Sequence, residues 1–310
     1  MTTAELSVLL VWGAMTAYTI AFISYSLVLA RKVDDPTRAY GGKAAGIARS
    51  TSLVGLALHL AGAVTRGLAA GRVPWANMYE FTLVGVLVAV VVLVLVLRGR
   101  PLPFLGVAVM GFGVLALLVA LLLFYQSAEG VQPALQSYWL VIHVGVAVIA
   151  TGIFTVACAV AVLQLWKGRR EEQAAGVERP AASGALATVL DRLRHVGRTW
   201  AWLDNVPASR VLEALAFRLN AIAFVLWTFT LIAGSIWAEK AWGRFWGWDP
   251  KETWTFVIWV IYAAYLHART TRGWAGRRAA WFVLAGFAAV LANYTIVNVF
   301  FSVKHGYSQL

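Results

Sequence analysis

The residues best suited to chemistry lie in a tryptophan-rich segment near the end of the chain. Four tryptophans fall within the thirteen residues from Trp242 to Trp254. Tryptophan is common at membrane interfaces, which would explain one or two of them. It does not explain three tryptophans interspersed with Gly243 and Gly247 and followed by Asp249. Because glycines allow close backbone approach, the segment predicts a flat aromatic platform for a ligand.

Charged residues of the same segment predict both a helix start and a ligand class. Asp249 is expected to cap the following helix, with Pro250 at its first position and Glu252 in its first turn. The cations Arg244 and Lys251 stand beside the platform. A planar apolar ligand with carboxylates suits this combination. A porphyrin is such a ligand, and the two cations are candidate contacts for its propionates.

The chain has five histidines, and neutral imidazole is a common axial ligand of haem iron. His143 and His305 are expected on the same face as the tryptophan-rich segment. His267 lies near the opposite end of its predicted helix, His59 lies midway along another, and His195 lies in a charged segment. A single histidine is more often packed or interfacial than a ligand. Histidine within a membrane span is energetically costly and is therefore a candidate for a function. Two histidines that converge on one aromatic platform favour ligation over simple packing.

The elements that position these residues are apolar helices. Apolar residues make up 61% of the 310 residues, charged residues 13%, and the mean hydropathy is +0.74. Cys158 is the only cysteine, which excludes an internal disulfide scaffold. Backbone groups in lipid must be satisfied internally, so the apolar runs predict helices. We expect an all-α integral membrane protein, a single domain (1–310) formed by a bundle of eight transmembrane helices: Leu6–Ala30, Arg49–Ala70, Phe81–Leu97, Pro103–Phe124, Tyr138–Trp166, Leu219–Ala238, Thr253–Ala268 and Ala279–Val303.

The basic residues predict the orientation of this bundle. Alternate connections hold nineteen Lys and Arg residues on one side and six on the other. The positive-inside rule makes the first side cytoplasmic, so both termini and the loop 239–252 are outside. The long cytoplasmic loop 167–210 carries an apolar stripe from Leu186 to Trp200, which favours an interfacial helix over a linker. This topology accounts for the net charge of +12, and nucleic-acid binding is not expected.

These motifs resemble the CcsA/ResC family of cytochrome c biogenesis proteins, the haem-handling membrane subunits of the System II cytochrome c synthase within the WWD-loop superfamily. The signature W-G-x-x-W-x-W-D-x-x-E-T is matched at every fixed position from Trp242 to Thr253. The segment from Gly71 to Glu80 is similar to the family's G-x-x-P-x-S-N-x-Y-E, with Ala76 in place of the serine.

The resemblance implies the site residues. His143 and His305 would be the outer axial ligands of haem b, and His267 would ligate a second, inner haem. The other inner ligand would come from a CcsB/ResB-like partner; His59 is the candidate within the chain, although it differs in depth from His267 by about 10 Å. The haem-binding loop would comprise Trp242, Gly243, Trp246, Trp248, Asp249 and Glu252.

The resemblance also implies a function. The chain would present haem on the outer face for thioether attachment to the C-x-x-C-H motif of apocytochrome c, as part of a holocytochrome c synthase. A thioredoxin-like protein would keep the thiols reduced. The location would be a bacterial cytoplasmic membrane, or a thylakoid membrane in a plastid, with an extracytoplasmic active face. Three alternatives are a System I haem chaperone or exporter subunit sharing the WWD loop, a respiratory cytochrome b, and a solute transporter.

Overall fold

A computed structural model describes residues 1–35, 40–128, 137–176 and 201–301. Within these ranges the chain forms eight long helices, a 3-10 helix and a short final helix. In chain order they are α1 (Thr3–Asp34), α2 (Gly42–Ala70), α3 (Met78–Gly99), α4 (Pro103–Leu123), α5 (Tyr138–Ala174), the 3-10 helix (Ala201–Asn205), α6 (Ser209–Trp242), α7 (Pro250–Thr271), α8 (Arg277–Tyr294) and α9 (Ile296–Phe300). The prediction of an all-helical membrane protein is confirmed.

Seven spans of the described chain are long and apolar enough to cross a membrane: α1 to α6 and the segment Arg277–Phe300. The remaining long helix, α7, has 22 residues. Its tryptophans and tyrosines, together with His267 and Arg269, lower its mean hydropathy. By composition, therefore, α7 differs from the other seven spans.

Several helices extend beyond the predicted apolar runs, and polar caps mark where some of the helices start. Thr2 and Glu5 form a capping box for α1. The side chains of Asn77 and Ser137 accept hydrogen bonds from the first turns of α3 and α5. Such caps satisfy backbone N–H groups that have no partner within the helix. The largest extension is that of α6, which begins at Ser209, ten residues before the predicted run, although its N-cap residue Ala208 makes no side-chain hydrogen bond.

α5 joins two hydrophobic clusters. One cluster is built mainly from α1, α2, α3 and α4, and the other from α5, α6, α7 and α8. In the apolar window of α5, 67% of the residues are buried, against 28–44% in the other six spans. α5 is therefore the central helix, and residues on it can face either half of the bundle.

The predicted loop 167–210 is partly helical in the described residues. α5 continues to Ala174, and the 3-10 helix lies against its end. The Lys167 ammonium donates to the carbonyl oxygen of Leu203 (2.7 Å), and the Arg170 guanidinium binds both carboxylate oxygens of Asp204. The predicted interfacial helix, Leu186 to Trp200, lies outside the described residues.

The last predicted span, Ala279–Val303, is interrupted at Thr295, where α8 ends and α9 begins. Two carbonyl groups next to this break accept hydrogen bonds from side chains. Lys251 donates to the carbonyl of Asn293 (3.1 Å), and Asn298 donates through Nδ2 to the carbonyl of Tyr294 (2.8 Å). Side-chain donors that compete for helix carbonyls are a recognised cause of kinks, which explains the interruption.

Candidate functional site

The tryptophan-rich loop connects α6 to α7 through two well-defined helix ends. Gly243 follows the last residue of α6 with a φ of 69°, a left-handed conformation that favours glycine. Asp249 caps α7 by accepting from the Glu252 N–H, and Pro250 occupies the first turn. The predicted cap is confirmed. The loop is therefore fixed in direction at both ends.

Glu252 holds the loop from within. Its carboxylate accepts hydrogen bonds from the N–H groups of Gly247 (2.7 Å) and Asp249 (3.3 Å), and it pairs with the Arg244 guanidinium (3.2 Å). A Cβ at Gly247 would collide with that guanidinium. Glycine at this position thus allows Arg244 to reach Glu252. Arg244 also lies over the Trp242 ring, 5.6 Å from its centroid.

The loop tryptophans form an aromatic surface with α7. The rings of Trp246 and Trp248 meet edge to face with centroids 5.6 Å apart, and both contact Phe256. Trp248 is 65% exposed and has a φ of 57°. The indole N–H of Trp246 is buried and has no acceptor among the described residues. This surface thus has one exposed ring and one unsatisfied donor.

His143 lies on α5 against the backbone of α6. Its Nδ1 is 2.8 Å from the carbonyl oxygen of Thr230, which can only accept, so Nδ1 carries the proton. The lone pair is therefore on Nε2, the arrangement found in metal-binding histidines oriented by a backbone carbonyl. The imidazole packs on Gly234 and stacks on Trp237, with ring centroids 6.2 Å apart. Trp237 in turn contacts Trp242.

One cavity connects the histidine to the loop. The space between its walls is about 910 Å³, open solvent at its mouth included. His143, Trp246 and Lys251 line it together with mostly apolar residues of α3, α5, α6 and α8. His143 thus shares a cavity with Trp246 of the tryptophan-rich loop, whereas Trp242 and Trp248 are not among the lining residues.

The two candidate propionate contacts differ in their surroundings. Lys251 lines the cavity, where its ammonium donates to the Asn293 carbonyl and to Oδ1 of Asn298 (3.0 Å). Arg244 is bound to Glu252 and is not among the lining residues. Of the two cations, therefore, only Lys251 lines the cavity, and the Glu252 carboxylate that binds Arg244 lines it as well.

The structure separates the remaining histidines. His267 is exposed on α7. His59 is fully buried in the other hydrophobic cluster, where Nδ1 shares a hydrogen bond with the Tyr18 hydroxyl (3.2 Å). His305 and His195 lie outside the described residues. The described structure therefore joins neither His267 nor His59 to the cavity.

Sequence reasoning missed a buried charge cluster beneath the Gly71–Glu80 segment. The Glu80 carboxylate accepts from Arg66 Nε (2.9 Å), from both terminal nitrogens of Arg72, and from the Ala76 N–H (2.9 Å). Arg66 and Glu80 are 1% and 0% exposed. The sequence around Glu80 does not reveal this cluster, because its partners Arg66 and Arg72 lie in earlier segments of the chain and meet it only in the folded structure.

Sequence comparisons relate the chain to proteins of cytochrome c maturation. The family model described as "Cytochrome C assembly protein" matches residues 75–305. The chain is 37% identical over 256 residues to the cytochrome c biogenesis protein CcsA of Synechococcus sp. (strain CC9311), covering 79% of this chain and 82% of that protein. It is 32% identical over 253 residues to the CcsA of Prochlorococcus marinus (strain MIT 9515), covering 80% and 79%.

A solved structure is similar in fold. The Cytochrome c Heme Lyase CcmF matches with a TM-score of 0.65 at 19% sequence identity. The match covers 95% of this chain and 47% of the lyase chain. The chain thus spans about half the length of that lyase and shares the fold of that part.

Proposed function

The chain belongs to the cytochrome c assembly protein family, and from this premise we propose that it presents haem at the α6–α7 loop for covalent attachment to apocytochrome c. It is a haem-handling, multi-pass membrane protein of cytochrome c biogenesis. The observation that carries the proposal is the shared cavity of His143, Trp246 and Lys251. It joins an imidazole, an aromatic surface and an ammonium beside the WWD loop.

The residues present fit haem b. His143 offers Nε2 for iron, because Nδ1–H is bound to the Thr230 carbonyl. The unsatisfied indole N–H of Trp246 and the Lys251 ammonium suit propionate oxygens. An unsatisfied buried donor costs about 1–3 kcal/mol, so a carboxylate acceptor would be stabilised there. Arg244 acts on the loop through Glu252 instead.

Each residue then has a defined part in the reaction. When bound, haem supplies the vinyl groups to which the cysteine thiols of apocytochrome c add. Trp246 and Trp248 would orient the macrocycle and His143 would hold the iron, so that the reacting groups would be kept in one geometry. His305 follows the last described residue by four positions and is proposed as the second outer ligand.

His267 is proposed as the ligand of an inner haem, with its counterpart from a CcsB/ResB-like partner. The exposure of His267 on α7 suits a ligand shared across a subunit interface. His59 is a weaker candidate for the counterpart, since it is fully buried and hydrogen-bonded to Tyr18. The partner ligand is therefore preferred.

The proposed setting is a System II holocytochrome c synthase. In it, α1 to α8 all cross a bacterial cytoplasmic membrane, or a thylakoid membrane, with both termini and the α6–α7 loop on the extracytoplasmic face. A thioredoxin-like protein would keep the apocytochrome thiols reduced. The apolar exposed side chains of the helices suit direct contact with lipid.

The test is co-expression of the chain with a CcsB/ResB-like partner and an apocytochrome c, followed by measurement of covalently bound haem. His143→Gly should abolish attachment, and added imidazole should restore part of it by occupying the vacated position. His195→Gly, which removes a histidine from the basic segment 167–210, should mature cytochrome c normally. Full attachment by His143→Gly without imidazole would refute the proposal. A requirement for subunits beyond the one partner would favour the System I alternative.

A further inference from the structure

A second cavity lies at the basic end of the bundle, where α3 ends and α6 begins. Its volume is about 660 Å³ including the open mouth. Arg100 lines it from the residue after α3, and Arg210, Val211, Leu215 and Arg218 line it from α6. Three arginines therefore line one cavity, which shares no residue with the haem site.

No carboxylate of the described residues pairs with these three arginines. The acidic groups of the neighbouring segments have other partners. Glu171 accepts from Ser209, Asp204 pairs with Arg170, and Glu213 pairs with Arg269. The Nη1 atom of Arg100 is buried and lacks a hydrogen-bond partner among the described residues. The cavity thus has an excess of positive charge and an unsatisfied donor, which calls for an anion.

The same face of α6 continues as an apolar surface. Val211, Ile222, Val225 and Ile232 are 39%, 55%, 67% and 55% exposed, and their spacing places them on one stripe with Arg218. From Arg218 to Ile232 the helix rises about 21 Å. That exceeds the half-thickness of a hydrocarbon core of about 30 Å. The stripe is therefore long enough to accompany an acyl chain.

We propose that Arg100, Arg210 and Arg218 bind the phosphate of an anionic phospholipid whose acyl chains lie along the exposed stripe of α6. The arginines alone would suit any phosphate, and basic cavities between membrane helices are known to bind lipid headgroups. The apolar stripe that begins at the cavity selects the lipid over free phosphate. Because the site shares no residue with the haem cavity, it is independent of the proposed function.

The experiment is titration of the purified full chain in detergent with phosphatidylglycerol, followed by native mass spectrometry. One tightly held lipid is expected. Each Arg→Gln change at these positions should weaken it about fivefold, because a basic residue near a lipid headgroup contributes about 1 kcal/mol. The triple variant should lose binding on the order of 100-fold. The Arg218→Lys variant should retain most of it.

Controls distinguish binding at this site from non-specific attraction to any basic residue and from binding of free phosphate. Arg98→Gln removes an exposed charge from the same end of α3, outside the lining residues, and should leave lipid binding unchanged. Phosphatidylcholine with the same acyl chains and inorganic phosphate should both fail to compete. Equal binding by the folded triple variant, competition by phosphatidylcholine, or displacement by inorganic phosphate would each overturn the proposal.

Discussion

Trp248 combines exposure with backbone strain. Apart from glycines, it is the one residue of the described chain with a positive φ. A left-handed conformation costs a non-glycine residue about 1–2 kcal/mol, and its ring is 65% exposed. Burial therefore does not explain a tryptophan here, although its ring touches Trp246 and Phe256. Strain of this kind concentrates at ligand sites, so the ring is expected to serve the ligand.

Replacing Trp248 with glycine separates these two properties. Glycine adopts the same φ without strain, but it loses the ring contacts with Trp246 and Phe256 and has more conformational freedom when unfolded. These effects oppose each other, so Trp248→Gly should change the thermal unfolding midpoint little. Haem content of the purified protein should nevertheless fall severalfold. Asp249→Asn serves as the control, since asparagine caps helices as well as aspartate, and it should retain haem. A greater loss of haem in Asp249→Asn than in Trp248→Gly would show that the two roles are reversed.

At the level of single residues, the sequence indicated candidate site residues, but it did not indicate the contacts that hold those residues in position. His143 and the tryptophan-rich loop were expected together, and His143 shares the cavity with Trp246 of that loop. The contribution of Thr230 and Gly234 could not be read from the sequence. Thr230 acts through its carbonyl, and Gly234 acts through the absence of a side chain. Neither property is visible in a residue type until the packing of α5 on α6 is known.

At the scale of elements, helix existence followed from the apolar runs, but helix ends did not. Hydropathy reports the part of a helix that lies in lipid, whereas ends depend on caps and on local competition for hydrogen bonds. The interruption at Thr295 is an example, because it involves Lys251 from a distant element. The predicted loop 239–252 is shorter in the structure, because α6 runs to Trp242 and α7 begins at Pro250. The remaining connection, 243–249, is likewise an ordered element whose shape depends on Glu252.

Glu252→Gln should therefore loosen the whole loop. The change removes the charge that pairs with Arg244 and weakens acceptance from the two loop N–H groups. The free energy of unfolding should fall by about 1–3 kcal/mol, the cost of poorly satisfied buried polar groups. Denaturant unfolding in mixed micelles measures it. Glu239→Gln, which removes the same charge from the end of α6, should change little. Equal effects of the two variants would contradict this account of the loop.

At the scale of the whole molecule, charge distribution predicts one orientation. The connection between α7 and α8 carries Arg272, whereas Thr3 and Phe245 stand at ends expected to be outside. In a Cys158→Ser background, single cysteines at Thr3 and Phe245 should react with a membrane-impermeant maleimide on intact cells. A cysteine at Arg272 should react only after the membrane is opened. Labelling of Thr3 and Phe245 from opposite sides would rule out the eight-span topology.

The contact between His143 and Gly234 has a consequence for evolutionary change in this fold. A Cβ at position 234 would lie 2.7 Å from Cε1 of the imidazole, closer than real Cβ contacts allow. As long as histidine is present at 143, selection should keep position 234 as glycine. A descendant that lost the histidine would be released from this constraint and could acquire a larger residue at 234. The two positions are therefore expected to covary, and a residue larger than glycine at 234 would signal that the ligand at 143 has been lost.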